Sequence, residues 1–119
     1  MRVINLTAHD VTLLGANGVT RKVFEPSGHI ARVVQTYDTH GTIEELDVDI
    51  EVVKPINILN FDGIIIEPYN IYLVSWLFLQ AMQQQCHPNL HQFVAPNTNG
   101  LAKDFKGVVK GVENFLVLA

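Results

Sequence analysis

Three groups of polar residues have types and spacings that could do chemistry. Arg32 alternates with Ile30 and Val34, so on a strand its guanidinium shares an apolar face, where an unpaired charge is costly to bury. Such an arginine suits a bidentate clamp on a ligand phosphate or carboxylate, with Ser27 and the flexible backbone of Gly28 adding donors beside it. An internal salt bridge to one of the chain's twelve acids would satisfy it equally. Asn5, Thr7 and His9 fall at a spacing of two, so a continuous strand would point all three the same way, toward a ribose and a base edge. The same residue types also make ordinary turns, and His9 could serve as a general base or simply donate to a strand-end carbonyl. Asn97 and Thr98, with Lys103 beyond them, form a polar loop that would close over a ligand or serve as a plain exposed connection.

Other groupings point away from catalysis and metals. Cys86, His87 and His91 lie within six residues. Pro88 disfavours the helix that would align the two histidines, and no second pair stands at zinc-finger spacing, so no metal is expected. Ser27 and His29 lack the strained G-x-S-x-G elbow and an orienting acid. Asp47, Asp49 and Glu51 alternate along a strand rather than a glycine-bearing calcium loop, which makes them an acidic surface. Gly15 and Gly18 precede a return strand instead of a helix, so they are no phosphate-binding fingerprint, and no P-loop occurs. No catalytic residue and no cofactor is assigned.

The elements that must position these groups follow from the patterning of 119 residues, 48% hydrophobic and 17% charged. That length and composition imply one folded domain spanning 1–119. A net charge of −4 leaves few cations to grip duplex nucleic acid. The opening residues lack a signal-peptide pattern, and the single cysteine suits a reducing cytosol. The apolar stretch from Ile71 to Leu79 is about half of what crosses a bilayer, so no membrane partner is expected.

Arg2 to Leu6, Asp10 to Leu14 and Val19 to Phe24 read as strands, the last two forming a hairpin around Gly15-Ala16-Asn17-Gly18. His29 to Tyr37 is a further strand that Asp38-Thr39-His40-Gly41 should close. Leu46, Val48, Ile50 and Val52 alternate with Asp47, Asp49 and Glu51, which predicts a strand with one buried and one acidic face. Ile71 to Val74 is a buried strand. Ser75 then caps a helix over Trp76 to Gln85, glutamine-rich at its end and stopped by His87-Pro88, with Val74 and Leu79 at staple positions. Gln92 to Ala95 returns to strand, and Leu101 to Phe105 pairs with Val108 to Leu118 across Lys106-Gly107. The expected fold is mainly β within the α+β class, a small antiparallel sheet or barrel-like arrangement with one short helix.

The order of the motifs carries a resemblance. Asn5-Leu6-Thr7-Ala8-His9 comes first, then Pro26-Ser27-Gly28 with Ala31-Arg32-Val33, then Ile71-Tyr72-Leu73-Val74-Ser75, and last a hairpin with Asp104, Gly107 and Gly111. This resembles a family of small phage, prophage and bacterial proteins that open with N-L-T-x-H and carry P-S-G-x-x-A-R-V. The family brings no catalytic assignment. The resemblance implies a viral or mobile-element origin and a place in the bacterial host cytosol, where small proteins often block host defence. The expected function is therefore a non-enzymatic sponge for a nucleotide-type immune signal, bound by Asn5, Thr7, His9, Ser27, Gly28, Arg32, Asn97, Thr98 and Lys103. The alternative is an interaction module whose acidic strand, Glu44 to Glu51, inhibits a host defence protein. A hydrolase of the same signal using His9 is the third class. Trp76 and the Ile64-Ile65-Ile66 run suggest a homo-oligomer.

Overall fold

The computed structural model describes residues 2–15, 20–45, 47–97, 101–103, 109–112 and 114–118. The strands are β1 Arg2–Asn5, β2 Val11–Leu14, β3 Thr20–Phe24, β4 Arg32–Glu45, β5 Val48–Asn60, β6 Asn70–Leu73, β7 Phe93–Pro96, β8 Leu101–Lys103, β9 Val109–Val112 and β10 Phe115–Leu116. One helix, α1, spans Trp76–Gln84. Among the described residues the result is a mainly β, α+β fold of three open sheets, so the barrel-like option is not the one the chain takes.

The central sheet has the order β1-β6-β7-β10. Its first three strands are parallel, where an antiparallel arrangement was expected, and only β10 runs against its neighbour. Parallel neighbours that follow each other in sequence need a crossover, and α1 supplies it between β6 and β7. The Ser75 hydroxyl accepts the Phe78 N–H at 3.2 Å, starting the helix. Val74 and Leu79, both wholly buried, take the staple positions on either side of that cap. The helix ends when Cys86 turns left-handed at φ 51°. The Cys86 and His87 N–H groups then reach back to Gln83 and Met82 carbonyls, each at 3.0 Å.

Phe78, Leu79, Ala81 and Met82 are the buried side of α1, and Phe78, Leu79 and Met82 join Leu6, Tyr72, Val74 and Phe93 in one core. Tyr72 stacks on Phe93 at 5.1 Å, and Phe61 meets Phe78 edge-on at 5.2 Å. Among the described residues every buried side-chain polar atom has a hydrogen-bond partner. The Gln92 amide donates to Glu67 and Asn70 carbonyls at 2.7 and 3.2 Å, pinning the segment that leads into β6.

A second sheet has the order β3-β2-β9-β8. It contains the expected pairings of β2 with β3 and of β8 with β9, whose turns, including Asp104 and Gly107, lie outside the described residues. The single return strand expected from Val108 to Leu118 is corrected, because Phe115–Leu116 leaves this sheet to pair with β7 in the central one. Gly111 in β9 passes so close to β2 that a Cβ there would stand 2.5 Å from the Thr12 carbonyl oxygen.

The third sheet is a two-stranded ribbon of β4 and β5, paired from Arg32↔Asn60 to Glu45↔Val48. At about 3.4 Å per residue it is roughly 44 Å long. This corrects two expectations. The strand beginning near His29 does not stop at Asp38-Thr39-His40-Gly41, because the ladder absorbs one extra residue as a bulge between Thr39 and Gly41. Gly41, at φ 128°, takes the conformation that a side chain would resist. Nor is either face of the acidic strand buried within the chain: β5 is exposed along its length except at Leu59.

Candidate functional site

The N-L-T segment folds as a knot. β1 ends at Asn5, so Thr7 and His9 lie in a bend and the row of three polar side chains on one strand face does not form. Asn5 is 2% exposed. Its amide donates to the carbonyls of His9 and Phe24, each at 2.8 Å. Its carbonyl oxygen accepts from the Thr7 N–H at 2.9 Å and the Thr7 hydroxyl at 2.6 Å. Asn5 thus acts as a piece of backbone, closing a turn and tying it to the end of β3.

The P-S-G motif zips onto the same place. The Ser27 N–H donates to the Asn5 carbonyl and the Ala31 N–H to the Leu6 carbonyl, both at 2.9 Å. Between them Gly28 turns at φ 95°. The Ser27 hydroxyl lies 3.3 Å from the His29 N–H, which donates to it. Asp62 holds the far side of this loop, accepting the Ile30 N–H at 2.9 Å, with His29 Nδ1 3.7 Å away.

Arg32 opens β4 and is exposed, so it pays no burial cost and needs no internal partner, contrary to the expectation from its apolar neighbours. Among the described residues it makes no ion pair. Asn97 is joined to Asn114 by two bonds, backbone at 3.0 Å and amide to amide at 2.9 Å. Thr98 lies outside the described residues. Lys103 ends β8. The expected ligand set therefore divides: Asn5, Thr7 and Ser27 belong to a structural knot, Arg32 to the start of the ribbon, Asn97 to the end of β7 in the central sheet, and Lys103 to β8 in the second sheet.

Around Cys86 no metal constellation forms: among the described residues no three His, Cys, Asp or Glu side chains converge. His87 Nδ1 is used locally, accepting the Asn89 N–H at 3.1 Å.

Three crevices are described, and none is lined by Asn5, Thr7, His9, Ser27, Gly28 or Arg32. One, about 350 Å³, gathers Arg2, His29, Glu67 and Tyr72. Its Tyr72 hydroxyl is already committed, accepting the Glu67 N–H at 2.7 Å. A second, about 360 Å³, lies between Tyr69 and His91.

The third lies between the root of the ribbon and α1. It holds about 310 Å³ and is lined by Val33, Gln35, Asn57, Leu77, Gln80, Ala81 and Gln84. Helical spacing places Leu77, Gln80, Ala81 and Gln84 on one face of α1. Ribbon register places Gln35 opposite Asn57, two positions along from the Val33–Leu59 pair that packs on the core and on the same face as it. Gln85 fixes the approach of the two walls by donating to the Asn57 carbonyl at 2.7 Å. The four carboxamides are little used by the fold. Gln35 donates to Asn57 at 3.4 Å and accepts the Tyr37 hydroxyl at 3.5 Å, both long, and Gln80 and Gln84 have no side-chain hydrogen-bond partner among the described residues.

The glutamines at the end of α1 were visible in the sequence, but only the ribbon's register brings Gln35 and Asn57 to meet them. Compared with protein families, curated proteins and solved structures, the chain shows no match. Among the described residues no helix is long and apolar enough to cross a membrane.

Proposed function

We propose that this chain is a non-catalytic binding protein that captures a nucleotide-type small molecule by its base, in the groove between the ribbon root and α1. One observation carries the reading: four carboxamides converge on an apolar-floored crevice that no titratable side chain lines. A carboxamide offers a donor and an acceptor side by side, which matches the paired donor and acceptor on an adenine edge. It neither gains nor loses a proton near neutral pH, so these walls favour holding a ligand over general acid–base turnover. Val33, Leu77 and Ala81 give the planar ring an apolar bed. The volume is at the small end for ligand sites, enough for a base with its sugar while phosphates remain in solvent.

In the phage setting implied by the motif resemblance, capture of a nucleotide signal would blunt a host immune response without destroying the compound. Equilibrium dialysis with adenine nucleotides and ADP-ribose-type compounds tests the site. Gln80→Leu/Gln84→Leu removes two of the four carboxamides from solvent-facing positions, so a folded double variant should lose at least about tenfold in affinity. Unchanged affinity would remove the groove from consideration.

The competing reading, an acidic inhibitor of a host protein, draws on one feature. Glu44 and Asp49 stand directly opposite on the ribbon, a like-charge pair that costs stability unless cations approach it. Reversing Asp49 and Glu51 would abolish inhibition under that reading and leave base capture intact.

A further inference from the structure

Residues directly opposite each other in an antiparallel pair share a face, and successive pairs alternate. Along the ribbon this sorts most of the exposed side chains. Beyond the Val33–Leu59 pair at the root, one face carries Gln35, Asn57, Tyr37, Pro55, Thr39, Val53, Glu51, Glu44 and Asp49, mostly polar or acidic, and bonds such as Thr39 to Glu51 at 2.8 Å lie across it. The other carries Val34, Ile58, Ile56, Val52, Ile43, Ile50 and Val48. All seven are between 37% and 61% exposed.

The bulge is what makes this apolar face continuous. Before it, the even-numbered residues of β4 point this way; the extra residue shifts the parity, so Ile43 arrives opposite Ile50 instead of among the acids.

A two-stranded ribbon with a bare aliphatic face is at best marginal in water. The whole chain shows the same imbalance. It exposes 8255 Å², against about 6,450 Å² for a compact monomer of its 13.3 kDa mass. Its radius of gyration is 18.7 Å, where about 13.5 Å is usual for this length. The excess, roughly 1,800 Å², exceeds the roughly 800 Å² that each partner buries in a standard stable interface.

We infer that the apolar face of the ribbon docks on the same face of a second copy of this chain. The charges on the face favour a copy of itself. They are Arg32, Asp38, Glu45 and Lys54, which sum to zero, and Asp38 stands directly opposite Lys54 near the ribbon's midpoint. A two-fold axis along the ribbon lays β4 of one copy over β5 of the other, tip beside tip. Asp38 then faces the partner's Lys54, twice over, and no like charges meet. A two-fold across the ribbon would instead stack Asp38 on the partner's Asp38. The acids Glu44, Asp49 and Glu51 stay in solvent on the outer face, and the amide groove opens on that same outer side.

Light scattering and sedimentation of the full chain test the inference. Wild type should have the mass of two chains at micromolar concentration. Ile50→Lys/Ile56→Lys should have the mass of one, with an unchanged near-ultraviolet signal from Trp76 showing that the core is intact. Asp38→Lys and Lys54→Asp should each weaken self-association by at least about tenfold, and an equimolar mixture of the two should restore the dimer, because each then faces opposite charges. A wild-type mass of one chain overturns the inference, as does an assembly that Ile50→Lys/Ile56→Lys leaves unchanged. A charge-swapped mixture that stays dissociated overturns the two-fold arrangement.

Discussion

Asn5→Ala should be among the most damaging single changes outside the apolar core. The substitution deletes four hydrogen bonds, two donated by the amide to His9 and Phe24 carbonyls and two accepted from Thr7. At about 0.5–1.5 kcal/mol net for each, the sum is about 2–6 kcal/mol. The Thr7 hydroxyl and the His9 carbonyl lie near the surface and regain water, which lowers the expected loss to about 2–4 kcal/mol. That is a large share of the roughly 5–15 kcal/mol that holds a domain folded. In urea, with a slope of about 1–3 kcal/mol per molar, the midpoint should fall by roughly 1–2 M. Trp76 fluorescence at fixed protein concentration reads the transition, since association shifts apparent stability. Asn5→Asp should do at least as much harm, because it turns two donors into a carboxylate facing two carbonyls. A midpoint within about 0.2 M of wild type for Asn5→Ala would refute the view of Asn5 as a structural knot.

Two further changes probe the scaffold. Gly111→Ala places a methyl group 2.5 Å from the Thr12 carbonyl oxygen, so thermal or urea unfolding should show a loss of about 1–3 kcal/mol from overpacking; a neutral result would mean that β9 can move away from β2. Ser75→Ala removes the acceptor of the Phe78 N–H and should cost about 1 kcal/mol, whereas Ser75→Asp, which keeps an acceptor, should retain most of the stability.

What the sequence reveals and hides follows from the physics of each element. The segment from β6 into α1 is legible because its signals are local and agree: an apolar run, a capping serine and staple residues. Its end is less so, because the left-handed turn that stops α1 falls on Cys86, ahead of Pro88. The ribbon is not, because alternation is normally read as burial against the chain's own core. Here the aliphatic face of Val48, Ile50 and Val52 finds no cover within one chain. Asp38 to Gly41 has the composition of a turn, yet a bulge lets the ladder continue through it. Pro55 also fits the ladder, since a ribbon strand is an edge strand and can leave a missing N–H facing outward. The polar row of Asn5, Thr7 and His9 misleads for a different reason: spacing of two implies a shared face only while the strand continues, and Asn5 ends it. Arg32 misleads because it opens its strand, so Ile30 is not on the strand face with it, and Val34 is apolar in type but exposed in place. The groove depends on pairing Gln35 with Asn57 across the ribbon, a long-range register that no local pattern specifies.

The most direct test of the binding claim is to incubate the purified protein with adenine nucleotides, cyclic nucleotides and ADP-ribose-type compounds, wash it, denature it by heat, and identify what is released by mass spectrometry. One compound, chemically intact, should be recovered from wild type and lost from Gln80→Leu/Gln84→Leu. Recovery of an altered compound would contradict non-catalytic capture in favour of catalysis and direct attention to His9, and retention of nothing would contradict it in favour of the acidic face as the functional surface.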